Sequence, residues 1–319
     1  MGNSALRDLA TIEETELTNY TNTTVAVDAH HWLYTYITAQ IRWLDEDDYT
    51  TTDGDEVVNL IGALRGLPTL LNHDLTPVFV FDGNPHDRKE DEIQDRRATK
   101  VEAEAKMQTA REEGNLEAMR RYKAQSQSLT DVVHETTREF FDILGIPYIE
   151  ADGAGEATAA RLVETGAADA ALTDDYDALL FGAPETVRQY TGSGPAERMD
   201  FYDTLAAHDI THEQLVDIAL LCGTDYNDGV HGVGPNRALN YVTDGQCADE
   251  IAAEYDDPIT GLDELRTLFL DPPTGDFPAT RFTLGSPDFQ AAREFASDQW
   301  ELPTDMVDSN LDRFPSHRK

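Results

Sequence analysis

The hydrophobic pattern alternates between short apolar runs and longer segments with helical periodicity. The apolar runs end in acidic or turn residues and predict buried strands over residues 24–28, 77–82, 146–150 and 168–174. Helical spacing predicts helices over residues 29–43, 56–72, 131–144, 155–165 and 211–222. Because strands separated by helices form parallel sheets covered on both sides, the pattern predicts an α/β fold: a mostly parallel sheet with helices on both faces.

Residues 87–128 interrupt this alternation. They contain ten Lys or Arg and ten Asp or Glu, with almost no Gly or Pro. This composition predicts long, exposed helices with little apolar face. Composition alone favours a solvated helical hairpin with i,i+4 ion pairs for this segment. The alternative is a helical arm that contacts phosphates.

The acidic composition is the strongest bias in the chain. There are 62 Asp and Glu against 24 Lys and Arg, a formal net charge of −38. So many like charges repel one another at low salt, whereas at about 1 M salt the Debye length is only ~3 Å and the repulsion is screened. The composition is typical of a halophile with molar salt in its cytoplasm. The competing interpretation, an acidic DNA mimic or chaperone-like binder, predicts neither a buried acidic constellation nor a basic segment.

Several classes of protein are disfavoured. Cys222 and Cys247 are too few for a disulfide framework or a thiolate zinc site. No apolar run approaches the ~20 residues that a membrane helix needs, and the N-terminal residues do not resemble a secretory signal. We therefore expect a cytoplasmic protein without membrane attachment.

Acidic residues follow several of the predicted strands and helices. In open α/β sheets, ligands bind beyond the carboxyl ends of the strands, and the neighbours of these acids are apolar or small. Each acid taken alone is better explained as a turn former or a helix cap. Their shared placement nevertheless predicts a partly buried pocket. They are Asp28, Asp82, Glu156, Asp174, Asp175, Asp177 and Asp225.

Carboxylates gathered in one pocket repel each other unless cations neutralise them. Ligation by oxygen alone indicates Mg²⁺ or Mn²⁺ rather than zinc. Two such ions about 4 Å apart can activate a water and stabilise a leaving oxygen. The pattern predicts metal-dependent cleavage of phosphodiester bonds.

A glycine-rich motif, GVHGVGPNRA, occupies residues 229–238 and predicts a tight turn that opens a helix. Outward-facing backbone N–H groups in such a turn can bind phosphate without basic side chains, which suits an acidic protein. An ordinary glycine-rich connection is the alternative. The spacing of Gly232 and Gly234, followed by Pro235, favours the phosphate site, with Arg237 in the same helix.

Taken together, these motifs resemble the structure-specific 5′ nucleases, in particular the archaeal and eukaryotic flap endonucleases. The resemblance runs from Met1 to about residue 240 and continues more weakly to the end. The motifs are VDA at 27–29, PVFVFDG at 77–83, GIPY at 145–148, EA at 156–157, DDYD at 174–177, LFG at 180–182, GTDY at 223–226 and GVGP at 232–235.

The resemblance implies a nuclease core related to PIN domains, over residues 1–245. It divides this core into an N-terminal region (1–86), a helical arch (87–128) and an internal region (129–245). The internal region includes a helix–two-turns–helix DNA-binding element at 226–240. A helical or irregular extension follows at 246–319, where Pro residues are frequent.

The resemblance also implies roles for individual residues. Lys89 and Arg96 match the basic residues at the base of the arch that contact the scissile phosphate, which shifts our interpretation of residues 87–128 towards phosphate contact. Tyr34 matches an aromatic residue that stacks on a base, and Gly2 an N-terminal glycine beside the active site. The implied ligands of two Mg²⁺ ions, which Mn²⁺ could replace, are Asp28, Asp82, Glu156, Asp175, Asp177 and Asp225.

The chain departs from the family pattern at two places. The family has a Glu-x-Glu pair in which Glu156 is the second member, but the first position is Ala154. We expect Asp152 to cap the following helix rather than replace the missing ligand. At residues 308–315 the sliding-clamp motif of the family is degenerate, keeping only Leu311 and Phe314.

The expected function is a divalent-metal-dependent endonuclease that cleaves 5′ flaps on branched DNA in replication and repair. A related 5′–3′ exonuclease or a bubble-cutting enzyme is an alternative within the class. Another is a catalytically weakened paralogue that binds DNA junctions without efficient cutting. We expect a monomer, with the sliding clamp as a further candidate partner.

Overall fold

The computed structural model describes residues 4–83, 131–191, 194–275, 277 and 280–315. In this part of the chain the strands are β1 (Thr11–Thr15), β2 (Thr24–Asp28), β3 (Thr76–Phe81), β4 (Tyr148–Glu150), β5 (Ala170–Leu172), β6 (Glu185–Arg188) and β7 (Ala196–Asp200).

The α-helices of the same residues are α1 (Ala29–Ile41), α2 (Val58–Leu71), α3 (Asp131–Leu144), α4 (Gly155–Glu164), α5 (Asp177–Leu180), α6 (Phe201–His208), α7 (His212–Cys222), α8 (Pro235–Thr243), α9 (Ala248–Glu254), α10 (Leu262–Leu270), α11 (Phe289–Arg293) and α12 (Thr304–Leu311). Short 3₁₀ helices lie at Ser4–Asp8, Leu17–Tyr20 and Glu46–Asp48, and a π-helical segment at Glu294–Gln299.

The four strands and five helices predicted from the hydrophobic pattern are all present, with ends that differ by a few residues. Strands β1, β6 and β7 were not predicted. Their sequences TIEET, ETVR and AERMD carry charged residues and lack an apolar run. Such segments become strands because they pair with neighbouring strands, and their own hydrophobic pattern does not reveal them.

The chain folds into two compact units. The first contains the described residues among 1–20, 24–28 and 151–281, and the second contains the described residues among 21–23, 29–150 and 282–319. The predicted boundary at residue 245, between a nuclease core and a C-terminal extension, does not correspond to either unit and stays a prediction.

The first unit contains five strands in the order β1-β7-β6-β5-β2. Strand β5 pairs in parallel with both β2 and β6, whereas β7 pairs antiparallel with both β6 and β1. The sheet is therefore mixed, and its parallel part carries the apolar strands. Helix α7 contributes an apolar face to the core of this unit, because Leu215, Val216, Ile218 and Ala219 to Leu221 are inaccessible to solvent.

The second unit is built around an aromatic core. Strands β3 and β4 pair in parallel, with Phe79 opposite Tyr148. The ring of Phe79 lies 4.9 Å from that of Trp32 on α1 and 4.5 Å from that of Phe141 on α3. All three side chains are fully buried, and such pairs add about 0.5–1.5 kcal/mol each beyond their burial.

Helix α2 is fitted closely to its neighbours in this unit. A Cβ on Gly66 would lie 2.6–2.8 Å from the rings of Trp32 and Tyr36, so a larger residue would push α2 away from α1. On the other side, the buried Asn59 amide donates to Thr136 and Thr137 of α3, both over 2.9 Å. Because a buried NH₂ group needs acceptors, these bonds favour one register between the two helices.

No helix among the described residues is long and apolar enough to span a membrane. Residues 87–128, the predicted helical arch, lie outside the described part of the chain. After residue 245 the described residues include four helices, α9 to α12, so this region is more regular than its prolines suggest.

Candidate active site

The register of two parallel strands brings acidic residues together in the first unit. Val25, Ala26 and Val27 of β2 lie opposite Ala170, Ala171 and Leu172 of β5. Parallel neighbours are about 4.8 Å apart, so Asp28, the last residue of β2, lies beside the start of the turn that follows β5. Asp28 is only 6% exposed. The β-branched and small residues of the two strands thus bury a carboxylate at their common end.

The turn after β5 carries two of the predicted ligands, Asp175 and Asp177. The Asp175 backbone N–H donates to Thr173 Oγ1 over 3.1 Å, and the Asp177 N–H donates to Asp175 Oδ1 over 3.0 Å. Asp175 and Asp177 are 8% and 3% exposed. Because Asp177 also begins α5, its negative charge lies at the favourable, positive end of a helix dipole.

Glu156 lies in the first turn of α4, half-buried, and α4 packs on β2. The N-cap of this helix is Ala154, with φ −68° and ψ 135° and without a side-chain hydrogen bond to the helix. The expectation that Asp152 caps α4 is wrong, because the N-cap position lies two residues later, at Ala154, and Asp152 is exposed.

Asp225 follows α7 in an exposed turn. Helix α7 packs against α5, so the elements that carry Asp177 and Asp225 are neighbours. Burial raises the pKa of the Cys222 thiol, at the end of α7, to about 11. In the absence of a metal ion the thiol therefore stays protonated at neutral pH.

Asp82 follows β3 in the second unit and is half-buried. Its Oδ2 lies 2.7 Å from Nδ1 of His30 in the first turn of α1, and the His30 ring lies 4.6 Å from that of His134. Sequence reasoning missed this histidine pair. Nothing in the local pattern singles out His30 from its neighbour His31, because the partner Asp82 lies 52 positions away in the sequence.

Two turns join α7 to α8. In the first, the Thr224 N–H donates to the Asn227 carbonyl over 2.9 Å, and the Asn227 side chain donates to the Leu220 carbonyl over 2.8 Å. In the second, Gly229 has φ +73°, and a Cβ there would lie 2.4 Å from the Gly223 nitrogen. Two turns therefore connect helices at 212–222 and 235–243, and the helix–two-turns–helix DNA-binding element predicted at 226–240 stays a prediction.

The glycine motif opens α8 as the sequence predicts. Gly234 is the N-cap and Pro235 the first helical residue. Gly232 has φ +84°, and a Cβ on either glycine would meet nothing within 4 Å. The exposed Arg237 donates to the Gly232 carbonyl over 2.7 Å, so it also holds the turn in its conformation.

The remaining predicted site residues divide into two groups. Tyr34 lies half-buried on α1, where its carbonyl accepts a hydrogen bond from Thr38. Gly2, Lys89 and Arg96 lie outside the described residues. The arch itself stays a prediction for the same reason.

The degenerate clamp motif is folded into the second unit. Leu311 ends α12 and is half-buried, while Phe314 is 7% exposed and its ring lies 5.8 Å from that of Phe289. Binding a clamp through Phe314 would require this ring to leave its contact with Phe289. Clamp binding stays a prediction.

Within the described residues, no three acidic, histidine or cysteine side chains form a ready-made metal cluster. What the first unit provides is three buried carboxylates at one sheet edge, with Glu156 and Asp225 on elements packed near it. A hard divalent cation that keeps part of its hydration shell fits this donor set.

Comparison with known proteins identifies the family. The XPG N-terminal domain matches residues 3–103 and the XPG I-region matches residues 145–225. Flap endonuclease 1 of Halobacterium salinarum is 48% identical over 98% of this chain and 96% of its own length. This chain belongs to the flap endonuclease family. Flap endonuclease 1 of Haloquadratum walsbyi, at 45% identity over 98% of the chain, is a further relative from a halophilic archaeon, in agreement with the acidic composition.

Solved structures agree with this assignment. The flap endonuclease-1 from Methanococcus jannaschii has a TM-score of 0.74 and 29% identity, covering 97% of this chain and 96% of its own. The catalytic core of Rad2 in complex with DNA substrate has a TM-score of 0.68 and 22% identity, covering 97% and 98%. The second match shows the fold alone.

The predicted family, α/β fold and enzyme class are therefore confirmed: this flap endonuclease is a structure-specific 5′ flap nuclease that depends on a divalent metal. The alternative of a junction-binding paralogue is not favoured. The roles of individual residues stay predictions.

Proposed function

We propose that this flap endonuclease hydrolyses one phosphodiester bond near the base of a 5′ flap on branched DNA, in replication and repair. We further propose that two Mg²⁺ ions, replaceable by Mn²⁺, are held by six carboxylates. These are Asp28, Asp82, Glu156, Asp175, Asp177 and Asp225.

One observation carries the proposal: β2 and β5 are parallel neighbours in a register that sets Asp28 beside the turn bearing Asp175 and Asp177. Three carboxylates that are each less than 10% exposed repel one another. In the absence of a cation this repulsion lowers the stability of the fold, and a bound cation neutralises it. The acidic surface elsewhere is solvated and needs no such explanation.

Divalent ions, when bound, supply a Lewis acid that lowers the pKa of a water and stabilises the leaving oxygen. Mg²⁺ keeps several of its own waters and binds directly to only one or two carboxylates in many sites. Buried Asp175 and Asp177 are the best candidates for direct contact, because their turn holds them in place. Exposed Asp225 and half-buried Glu156 suit contact through water.

The chain's own cations would act on the substrate. We propose that Lys89 and Arg96 contact the scissile phosphate and offset the charge that develops on it. Tyr34 would stack on a base beside the cut, and Gly2 would lie beside the reacting strand. In this proposal the segment 87–128 forms an arch through which the flap reaches the site, and its ten basic residues among the 24 of the chain support phosphate contact.

The turn before α8 would bind the duplex part of the substrate. Gly232 and Gly234 leave open space above the backbone, so a phosphate can approach the N–H groups at the start of the helix. Arg237 adds a positive charge at the same place. In molar salt, counterion release contributes little to affinity, so the shape and bendability of the junction should dominate recognition.

The test is cleavage of an end-labelled 5′-flap substrate in molar KCl with and without Mg²⁺, beside matched 3′-flap, bubble and blunt duplex substrates. We expect metal-dependent cleavage of the 5′ flap within a few nucleotides of the junction. Equal cleavage of the blunt duplex would indicate the related exonuclease instead, and preference for the bubble would indicate the bubble-cutting enzyme. Sedimentation of the enzyme alone tests the expected monomer.

A further inference from the structure

Arg188 is a buried cation behind the acidic turn. It is the last residue of β6 and is only 4% exposed. Its Nη2 donates to the Asp174 carbonyl over 2.7 Å, and its guanidinium carbon lies 3.5 Å from the centre of the Tyr176 ring. A planar guanidinium can stack on an aromatic ring and donate at its edge at the same time. Arg188 thus contacts two successive parts of the turn that carries Asp175 and Asp177.

The N-terminal 3₁₀ helix holds the same turn from a second direction. Arg7 Nη1 donates to the Tyr176 hydroxyl over 2.6 Å. Arg7 also forms a bidentate pair with Glu197, with contacts of 2.8 and 3.2 Å. Glu197 in turn lies 3.4 Å from Arg188 Nη1, so both arginines are anchored on one carboxylate of β7.

Along the turn, residues contacted by the two arginines alternate with the proposed metal ligands. Arg188 of β6 contacts the Asp174 carbonyl and the Tyr176 ring, and Arg7 of the N-terminal 3₁₀ helix contacts the Tyr176 hydroxyl. The Gln189 N–H adds a bond to the Asp174 carboxylate. The residues between them and just after, Asp175 and Asp177, are the proposed ligands.

We infer that Arg188 is a positioning residue for the metal site: it fixes the backbone of residues 174–177 so that Asp175 and Asp177 are held ready to bind a divalent cation. Sheet stability alone does not require a buried guanidinium, because a methionine of similar length fills the same space and buried ion pairs are often replaceable by apolar side chains. What an apolar residue cannot supply is the donor to the Asp174 carbonyl. Partners behind the ligands commonly change metal affinity by about 10- to 100-fold.

This inference rests on the proposed function, and the experiment separates the two. Binding of Mn²⁺ to the DNA-free enzyme is measured by calorimetry in molar KCl, which suppresses weak binding to the acidic surface. The variants are R188M, R188K and D177N. The matched control is R198M, because Arg198 lies on β7 of the same sheet and pairs with Glu185 and Asp200 instead of the turn. Thermal unfolding of each metal-free variant and single-turnover cleavage are recorded alongside.

We expect R188M to raise the Mn²⁺ concentration for half-saturation by about 10-fold or more, R188K to raise it by less, and R198M to leave it unchanged. Mn²⁺ affinity like that of the wild type in R188M, with only a lower unfolding temperature, would overturn the inference. If R188M does not fold, R188K decides: weaker Mn²⁺ binding at an unchanged unfolding temperature supports the inference, and unchanged binding overturns it. If D177N also binds Mn²⁺ normally, the proposed metal site itself is wrong.

Discussion

Val27 of β2 lies opposite Leu172 of β5 in a parallel pair. Because both strands run in the same direction, the acidic residues that follow them leave the sheet at the same edge. Val27 and Leu172 are 145 positions apart in the sequence. Their pairing, rather than local sequence, therefore places Asp28 beside the turn that carries Asp175 and Asp177.

Asp177→Asn tests this grouping directly. The variant keeps the size of the side chain and removes its charge, so we expect single-turnover cleavage in Mg²⁺ to fall by about 100-fold or more. Flap binding should be retained. Asp249→Asn on α9, an exposed carboxylate, is the control, and near-normal cleavage by Asp177→Asn would exclude the residue as a ligand.

The glycines that flank α8 allow a matched test of the DNA site. Gly232 (φ +84°) and Gly245 (φ +89°) lie before and after the helix, and a Cβ on either meets nothing within 4 Å. Alanine at each should therefore destabilise the fold similarly, by about 1 kcal/mol. Only Gly232→Ala should also weaken duplex binding, measured by fluorescence anisotropy.

Gly234→Ala tests the same DNA site without the backbone strain that alanine causes at Gly232. Gly234 has a negative φ of −101° and open space at its Cβ position, so alanine should be tolerated without loss of stability. We expect weaker DNA binding, since a methyl group would stand where a phosphate approaches. Unchanged anisotropy curves for both Gly232→Ala and Gly234→Ala would place the duplex elsewhere.

Ala154→Glu restores a carboxylate two residues before Glu156. Ala154 is half-buried, with an extended backbone just ahead of α4, so a longer side chain can follow the start of the helix. We expect a higher single-turnover rate and a lower Mg²⁺ concentration for half-activity. Asp152→Ala should change neither rate nor stability, because Asp152 is exposed and does not cap α4. Loss of activity in Asp152→Ala would instead identify Asp152 as the substitute ligand.

Lys89→Ala and Arg96→Ala test the proposed contacts to the scissile phosphate. A contact that strengthens as charge develops lowers the barrier more than it tightens binding. We expect the single-turnover rate to fall by a larger factor than the flap affinity in both variants. A loss confined to affinity would make the two residues ordinary DNA-positioning cations.

Salt should control the stability of the whole protein. With a net charge of −38, self-repulsion grows once the Debye length exceeds ~5–6 Å, below a few hundred millimolar salt. We expect circular dichroism to show loss of structure in that range and its recovery in molar KCl. A melting temperature that is the same at low and high KCl would contradict this.

The sequence by itself determined those strands, turns and helix starts that are specified by neighbouring residues in the chain. Apolar runs such as VFVF at 78–81 identify buried strands wherever they pair, because both faces of a central strand lose water. The glycines and Pro235 before α8 likewise specify a turn and a helix start through backbone geometry alone. The order and spacing of the motifs, acidic and glycine-containing alike, were enough to show the resemblance to the nuclease family.

Tertiary structure decided what depends on partners that are distant in sequence. The charged strands β1, β6 and β7 became strands only through pairing, and β6 carries Arg188, which local pattern marks as an ordinary surface residue. The same holds for the pair of His30 and Asp82 and for Phe314, whose place against Phe289 turned a degenerate motif into part of a core. In each case the energy comes from a contact between segments that only folding brings together, and no local periodicity encodes such a contact.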